Sequence, residues 1–104
     1  MPREPAQPDE AVLERPDSRT QRPTLYHVVL LNDDYTTMAF VVRILEEVFM
    51  KGPAEAHGLM MRIHTEGKAA CGTYTYEVAE TKVGKVHDLA RSEGFPLRCT
   101  LEQA

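Results

Sequence analysis

Hydrophobic residues fall into separate segments along the chain, and the spacing within each segment predicts a strand or a helix. The run 25–31, LYHVVLL, is rich in β-branched and aromatic residues and ends at NDD, which predicts a strand followed by a turn. The next segment has helical spacing, and Thr36 is its predicted N-cap. Its apolar positions form two adjacent stripes: Met38, Val41, Val42, Leu45 and Phe49, and beside them Phe40, Ile44 and Val48.

The second half of the chain contains four further predicted elements, which differ in the spacing of their apolar residues. Gly52-Pro53 separates the first helix from a second one, which we expect to end at Gly67. Residues 69–78 are strand-like, and a third helix then closes at Gly94. Residues 96–102 alternate between apolar and polar side chains, which is typical of a half-buried strand.

The order of predicted elements is therefore β-α-α-β-α-β, and it indicates an α+β fold. We expect a three-stranded antiparallel sheet with the three helices packed on one face, because the last strand has one clearly polar side. Cys71 and Cys99 fall on strands and are expected to be buried as small hydrophobic residues.

Proline is concentrated at one end of the chain. Five of the seven prolines lie in residues 1–24, a stretch with few apolar residues. Such a segment cannot bury enough apolar surface to offset the entropy lost on ordering. The sequence therefore predicts a disordered N-terminal extension over residues 1–24 and one folded core domain over residues 25–104.

Composition excludes several classes of function for this chain of 104 residues. The 16 acidic residues outnumber the 12 Lys and Arg, which argues against a nucleic-acid partner. No run approaches the length of a membrane span, and the N-terminus lacks the apolar core of a signal peptide, so we expect a cytoplasmic protein without membrane contact.

The polar triplet Asn32-Asp33-Asp34 is the main candidate for chemistry. One interpretation is turn formation, for which Asn and Asp are well suited. The other is a cation site. Asp33, Asp34 and His64 could form a metal site, although their spacing does not demand it. An ammonium group fits better, since it offers three donors to the oxygens of Asn32 and Asp34 and to a neutral His64 ring. No motif for a catalytic nucleophile or a phosphate loop is present.

Four ordered blocks of the sequence resemble the ClpS adaptor family, which recognises bacterial N-degrons. The resemblance covers residues 25–104. The blocks are VVLLNDDYTTMAFVV at 28–42, His64 with GKAACG at 67–72, EVAETKV at 77–83 and PLRCTLE at 96–102.

The resemblance implies an adaptor rather than an enzyme, with no catalytic residue, metal or cofactor. Its substrates would be proteins that begin with Leu, Phe, Tyr or Trp, and its partner would be the ClpA unfoldase of the ClpAP protease. Carried over by motif position, Asn32, Asp34 and His64 would hold the substrate α-amine, with Asp33 beside them. The pocket for the first side chain would be formed by Thr36, Met38, Val41, Met60, Ile63 and Leu97, with Met38 as its gate.

The resemblance also implies how the adaptor meets the unfoldase. Glu77 and Lys82 match positions that dock on the unfoldase N-domain, and the N-terminal extension would engage the unfoldase during substrate transfer. One departure is Thr37, which stands where the family usually has Pro. Two other interpretations of the sequence are an interaction domain like that of the ribosomal stalk and a metal-dependent hydrolase that uses Asp33, Asp34 and His64.

Overall fold

The fold is seen in a computed structural model that describes residues 22–104, so most of the predicted extension 1–24 lies outside the described residues. Within them the predicted β-α-α-β-α-β order is confirmed. No helix of this part of the chain is both long enough and apolar enough to cross a membrane. The elements are β1 (Leu25–Leu31), α1 (Met38–Glu47), α2 (Pro53–Glu66), β2 (Lys68–Thr75), α3 (Tyr76–Glu93) and β3 (Arg98–Gln103).

Strand β1 is the centre of an antiparallel sheet with the order β2-β1-β3. Its inward side chains Val28 and Leu30 are fully buried, as expected for a central strand. They belong to one hydrophobic core with residues from all three helices, among them Phe40, Ile63 and Val86. The prediction of three helices on one sheet face is confirmed.

The opposite face of the sheet carries no helix, yet its central residue is shielded from water. Val29 of β1 is only 2% exposed. On the same face, the Lys68 ammonium of β2 lies 2.9 Å from the Glu102 carboxylate of β3, so this ion pair reaches across β1. The aliphatic stems of such long side chains can cover apolar surface while their charged ends stay in water.

The predicted N-cap of α1 was wrong by one residue. Thr37, not Thr36, is the N-cap, and its side-chain oxygen accepts a hydrogen bond from the Phe40 N–H at 3.1 Å. The hydroxyl of Thr36 is already engaged, since it donates to the Asp33 carboxylate at 2.7 Å. Thr37 has a φ of −72°, close to the value that a proline ring imposes, so a proline would fit this backbone but would lose the side-chain cap.

The second strand is shorter than predicted. The register pairs Thr75 with Leu25, the first residue of β1, so a longer β2 would have no partner there. The chain turns into α3 at Tyr76, whose ring packs edge-on against Tyr26 with centroids 5.3 Å apart. Strand β3 similarly begins at Arg98, two residues later than expected.

Glycine and proline mark the helix boundaries as predicted. Pro53 occupies the first turn of α2, where its missing N–H costs nothing. Gly67 and Gly94 end α2 and α3 in the left-handed conformation, with φ of 92° and 78°. A side chain at such a φ meets the following carbonyl oxygen, which is why glycine is favoured there.

Both cysteines are free and buried on their strands, as expected. Burial raises the pKa of the Cys71 thiol to about 11 and that of the Cys99 thiol to about 12. Since the thiolate is the reactive form, both side chains serve the core as small apolar groups near neutral pH.

The role of Gly67 can be tested by comparing two glycine substitutions. Gly67→Ala is expected to lower the free energy of unfolding by about 1–2 kcal/mol, because its φ is positive although space is available. Gly84→Ala is the control: this position is inside α3 with open space around it, and alanine should stabilise the helix by about 0.5–1 kcal/mol. Urea denaturation measures both, and changes of the same sign would contradict the assignment.

Candidate functional site

A cavity of about 210 Å³ opens where the end of β1, the start of α1 and the last turns of α2 meet. It is smaller than the roughly 300–1,000 Å³ of pockets for drug-sized ligands, and so suits a single side chain with one polar group. Polar and apolar residues both form its wall. They are Asn32, Asp33, Asp34, Thr36, Met38, Val41, Met60, Ile63 and His64.

Gly67 holds two parts of this wall together. Its N–H donates to the Ile63 carbonyl at 2.9 Å, which closes the last turn of α2 beside His64. Its own carbonyl accepts a hydrogen bond from the Asn32 N–H, also at 2.9 Å. The left-handed turn at Gly67 therefore brings Asn32 at the end of β1 to the end of α2. The sequence indicated the helix stop, but not this contact between distant positions.

Asp33 shapes the loop between β1 and α1. One carboxylate oxygen accepts the N–H groups of Tyr35 at 2.8 Å and Thr36 at 2.7 Å, and the other accepts the Thr36 hydroxyl. Burial acts to raise the pKa of Asp33, but these hydrogen bonds, together with the positive charge of Arg98, outweigh it, and the pKa lies below its ordinary value of 3.8. Most acceptor positions of this carboxylate are thus used inside the loop.

The acceptors that remain at the cavity are Asn32, Asp34 and His64, all of them exposed to solvent. The lining includes two carboxylates and neither lysine nor arginine. A small cation is therefore favoured at this end of the cavity, both by charge and by the number of acceptors.

The other end of the cavity is apolar. Val41, Met60 and Ile63 are at most 7% exposed and belong to the hydrophobic core, so the wall behind them is rigid. Met38, in the first turn of α1, is 44% exposed and lies at the edge. An unbranched thioether side chain adapts its shape easily, which suits a flexible edge.

The structure brings nine of the ten predicted substrate-site residues to one cavity, and Leu97 is the exception. Leu97 is 3% exposed in the core and borders a separate depression with His87 and Phe95. Across residues 22–104, no three His, Cys, Asp or Glu side chains are grouped so that they could hold a metal ion.

The two predicted docking residues differ in their surroundings. Glu77 is exposed in the first turn of α3. Lys82 is half-buried, and its ammonium donates to the Val48 carbonyl at 2.8 Å while lying 5.5 Å from the centre of the Tyr74 ring. Val48 is the C-cap of α1, so a cation there satisfies the helix dipole. Lys82 thus has an internal role that the sequence did not reveal.

Fold and cavity together define a small α+β domain with a cavity that is polar and acidic at one end and apolar at the other. A protein-family model described as "ATP-dependent Clp protease adaptor protein ClpS" matches residues 21–100. The ATP-dependent Clp protease adapter protein ClpS of Nitratidesulfovibrio vulgaris is 55% identical over 87 residues, which cover 84% of this chain and 87% of that protein. ClpS 1 of Rhizobium meliloti is 50% identical over 93 residues, covering 89% and 80%.

A solved structure shares the fold. Agrobacterium tumefaciens ClpS2 bound to L-phenylalaninamide has a TM-score of 0.77 and 41% identity, covering 80% of this chain and 100% of that one. The chain therefore belongs to the ClpS family. It is an adaptor of an ATP-dependent Clp protease, and this family assignment replaces the ribosomal-stalk and hydrolase interpretations.

The role of Asp33 in the loop predicts a pH-dependent stability. Because its pKa is lowered in the folded state, the ionised carboxylate stabilises the fold above about pH 4, and this contribution is lost as the pH falls through the folded-state pKa. Asp33→Asn should lower the free energy of unfolding by about 1 kcal/mol at pH 7, since neutral acceptors form weaker hydrogen bonds. Urea denaturation of both proteins at pH 7 and about pH 3 should show this difference shrinking in acid. A difference that is equal at both pH values would contradict the assigned role.

Proposed function

We propose that this adaptor binds proteins with Leu, Phe, Tyr or Trp at a free N-terminus and delivers them to the ClpA unfoldase for degradation by ClpAP. The observation that carries the proposal is the cavity itself, in which three acceptors adjoin an apolar wall with no cationic residue. An N-terminal residue with a bulky side chain has the matching groups: an ammonium and an apolar side chain on one Cα atom.

The α-ammonium of the substrate offers three N–H donors, and the cavity offers one acceptor for each of them. Asn32 accepts through its amide oxygen, Asp34 through its carboxylate, and His64 through the unprotonated nitrogen of a neutral ring. Asp33 supports them by holding the loop. An acetylated or internal residue keeps only one of these donors and has no charge, so the site would distinguish a true N-terminus from the rest of a protein.

The first side chain enters the apolar part of the cavity, framed by Met38, Val41, Met60 and Ile63. Burying a Leu or Phe side chain contributes roughly 2–3 kcal/mol, and each hydrogen bond to a charged group about 1.5–3 kcal/mol. L-Phenylalaninamide, bound by the Agrobacterium protein, carries the same ammonium and a benzyl side chain.

Delivery to the unfoldase is supported by the positions of the predicted docking residue Glu77 and of the substrate cavity. Glu77 shares a shallow groove with Pro23 and Thr24, the residues that lead into β1. The substrate cavity lies at the other end of β1, about 20 Å away for a seven-residue strand. An unfoldase docked at Glu77 would thus meet the N-terminal extension and leave the cavity accessible. The cytoplasmic location expected from the sequence remains a prediction of this proposal.

Binding of the α-amine can be tested with a Leu-initiated peptide and its N-acetylated twin. Acetylation removes the charge and two donors, so affinity should fall at least about 100-fold, or about 2.7 kcal/mol. His64→Ala should weaken binding of the free peptide about tenfold through the loss of one acceptor. Fluorescence anisotropy measures both changes.

The matched control is His57→Ala, an exposed histidine on the same helix that does not line the cavity. It should bind the free peptide as the unmodified protein does. Equal affinities for the free and the acetylated peptide would refute the proposed recognition of the amine, whatever the histidine variants show.

Docking on ClpA can be tested by reversing charge. Glu77→Arg should weaken binding to ClpA about five- to tenfold and lower the free energy of unfolding by no more than about 1 kcal/mol, since Glu77 is exposed but lies in the first turn of α3. Lys82→Ala should lower both, because it also breaks the hydrogen bond to Val48. Titration calorimetry with ClpA and urea denaturation give the two readouts.

Glu66→Arg is the control for net charge, since it makes the same change in the last turn of α2, at the cavity end of the sheet. It should leave docking unchanged. Loss of docking in Glu66→Arg but not in Glu77→Arg would place the contact surface at the wrong end and contradict the proposal.

A further inference from the structure

Three large, exposed apolar side chains belong to residues in the cavity lining or next to it. They are Tyr35 at 76%, Met38 at 44% and Met61 at 37% exposure. Tyr35 lies in the loop between the lining residues Asp34 and Thr36, and Met38 lines the cavity itself. Met61 precedes the lining residue His64 by three positions on α2, so the two are neighbours on the helix surface. The loop, α1 and α2 thus each carry exposed apolar surface in the lining or beside it.

The cavity determines where the rest of a bound substrate must go. If the ammonium and the first side chain are held as proposed above, the first Cα is fixed near the mouth. The second Cα follows at 3.8 Å, the distance across a trans peptide bond. Because the cavity holds little more than one side chain, the second residue of the substrate would lie in the opening, near these three exposed side chains.

We propose that Tyr35, Met38 and Met61 form a subsite for an apolar side chain at the second position of the substrate. This inference rests on the proposed function and adds to it a preference for substrates with an apolar second residue. Tyr35 offers a broad aromatic surface with little conformational freedom to lose. The two methionines adapt to side chains of different shape. The preference should therefore follow the apolar area of the second residue rather than its exact form.

The test uses peptides that begin with Leu and differ only at the second residue. Val and Thr form a nearly isosteric pair in which a methyl group is replaced by a hydroxyl. The unmodified protein should bind the Leu-Val peptide about threefold more tightly than the Leu-Thr peptide, measured by fluorescence anisotropy. In the double variant Tyr35→Ser and Met61→Gln this ratio should fall to about one.

Met50→Gln is the matched control, since Met50 is as exposed as Tyr35 but lies after the far end of α1. It should keep the ratio of the unmodified protein. A ratio of about one in the unmodified protein, or a ratio that survives the double variant, would overturn the subsite. These failures are distinguishable from failure of the proposed function, because peptides that begin with Leu and with Ala are compared in the same assay. Equal binding of those two would refute recognition of the first side chain itself.

Discussion

The hydrogen bond between the Asn32 N–H and the Gly67 carbonyl is the contact on which the site depends. Gly67 can make it because its left-handed conformation turns the chain from α2 into β2 while its own N–H closes the helix on Ile63. One residue therefore sets the position of the strand end that carries Asn32 and of the helix end that carries His64. The cavity exists because these two ends are held at a fixed separation.

The two carboxylates in the loop between β1 and α1, Asp33 and Asp34, have different surroundings. Asp33 accepts three hydrogen bonds from Tyr35 and Thr36, so its negative charge serves the loop's own structure. Asp34 is exposed at the cavity, with Asn32 and His64 as further acceptors. Because Asp33 already holds the loop, less entropy is lost when a ligand binds at the cavity than if the loop were free to move. The core residues behind the cavity extend this rigidity to its apolar wall.

The domain also separates its surfaces along β1. The cavity lies at the end of the strand, whereas Glu77 and the residues that lead into the strand lie at its beginning. Lys82 of α3 donates a hydrogen bond to Val48 at the C-terminal end of α1. The first turn of the same helix carries Met38 of the cavity. A substitution at Lys82 can therefore act through stability as well as through contact with a partner, and the two effects have to be measured separately.

Local patterns in the sequence determined the elements, since helical stripes, strand alternation and the stops at Gly67 and Gly94 are properties of neighbouring residues. The resemblance to the ClpS family named the nine residues that line the cavity, six of them in the block around Asn32. The tertiary structure alone decided which hydroxyl caps α1, because Asp33 had already engaged Thr36. It also decided that β2 ends at Thr75, that Leu97 borders a separate depression and that Lys82 bonds to Val48. These outcomes depend on contacts between positions far apart in the chain, and no periodicity or local propensity encodes such contacts.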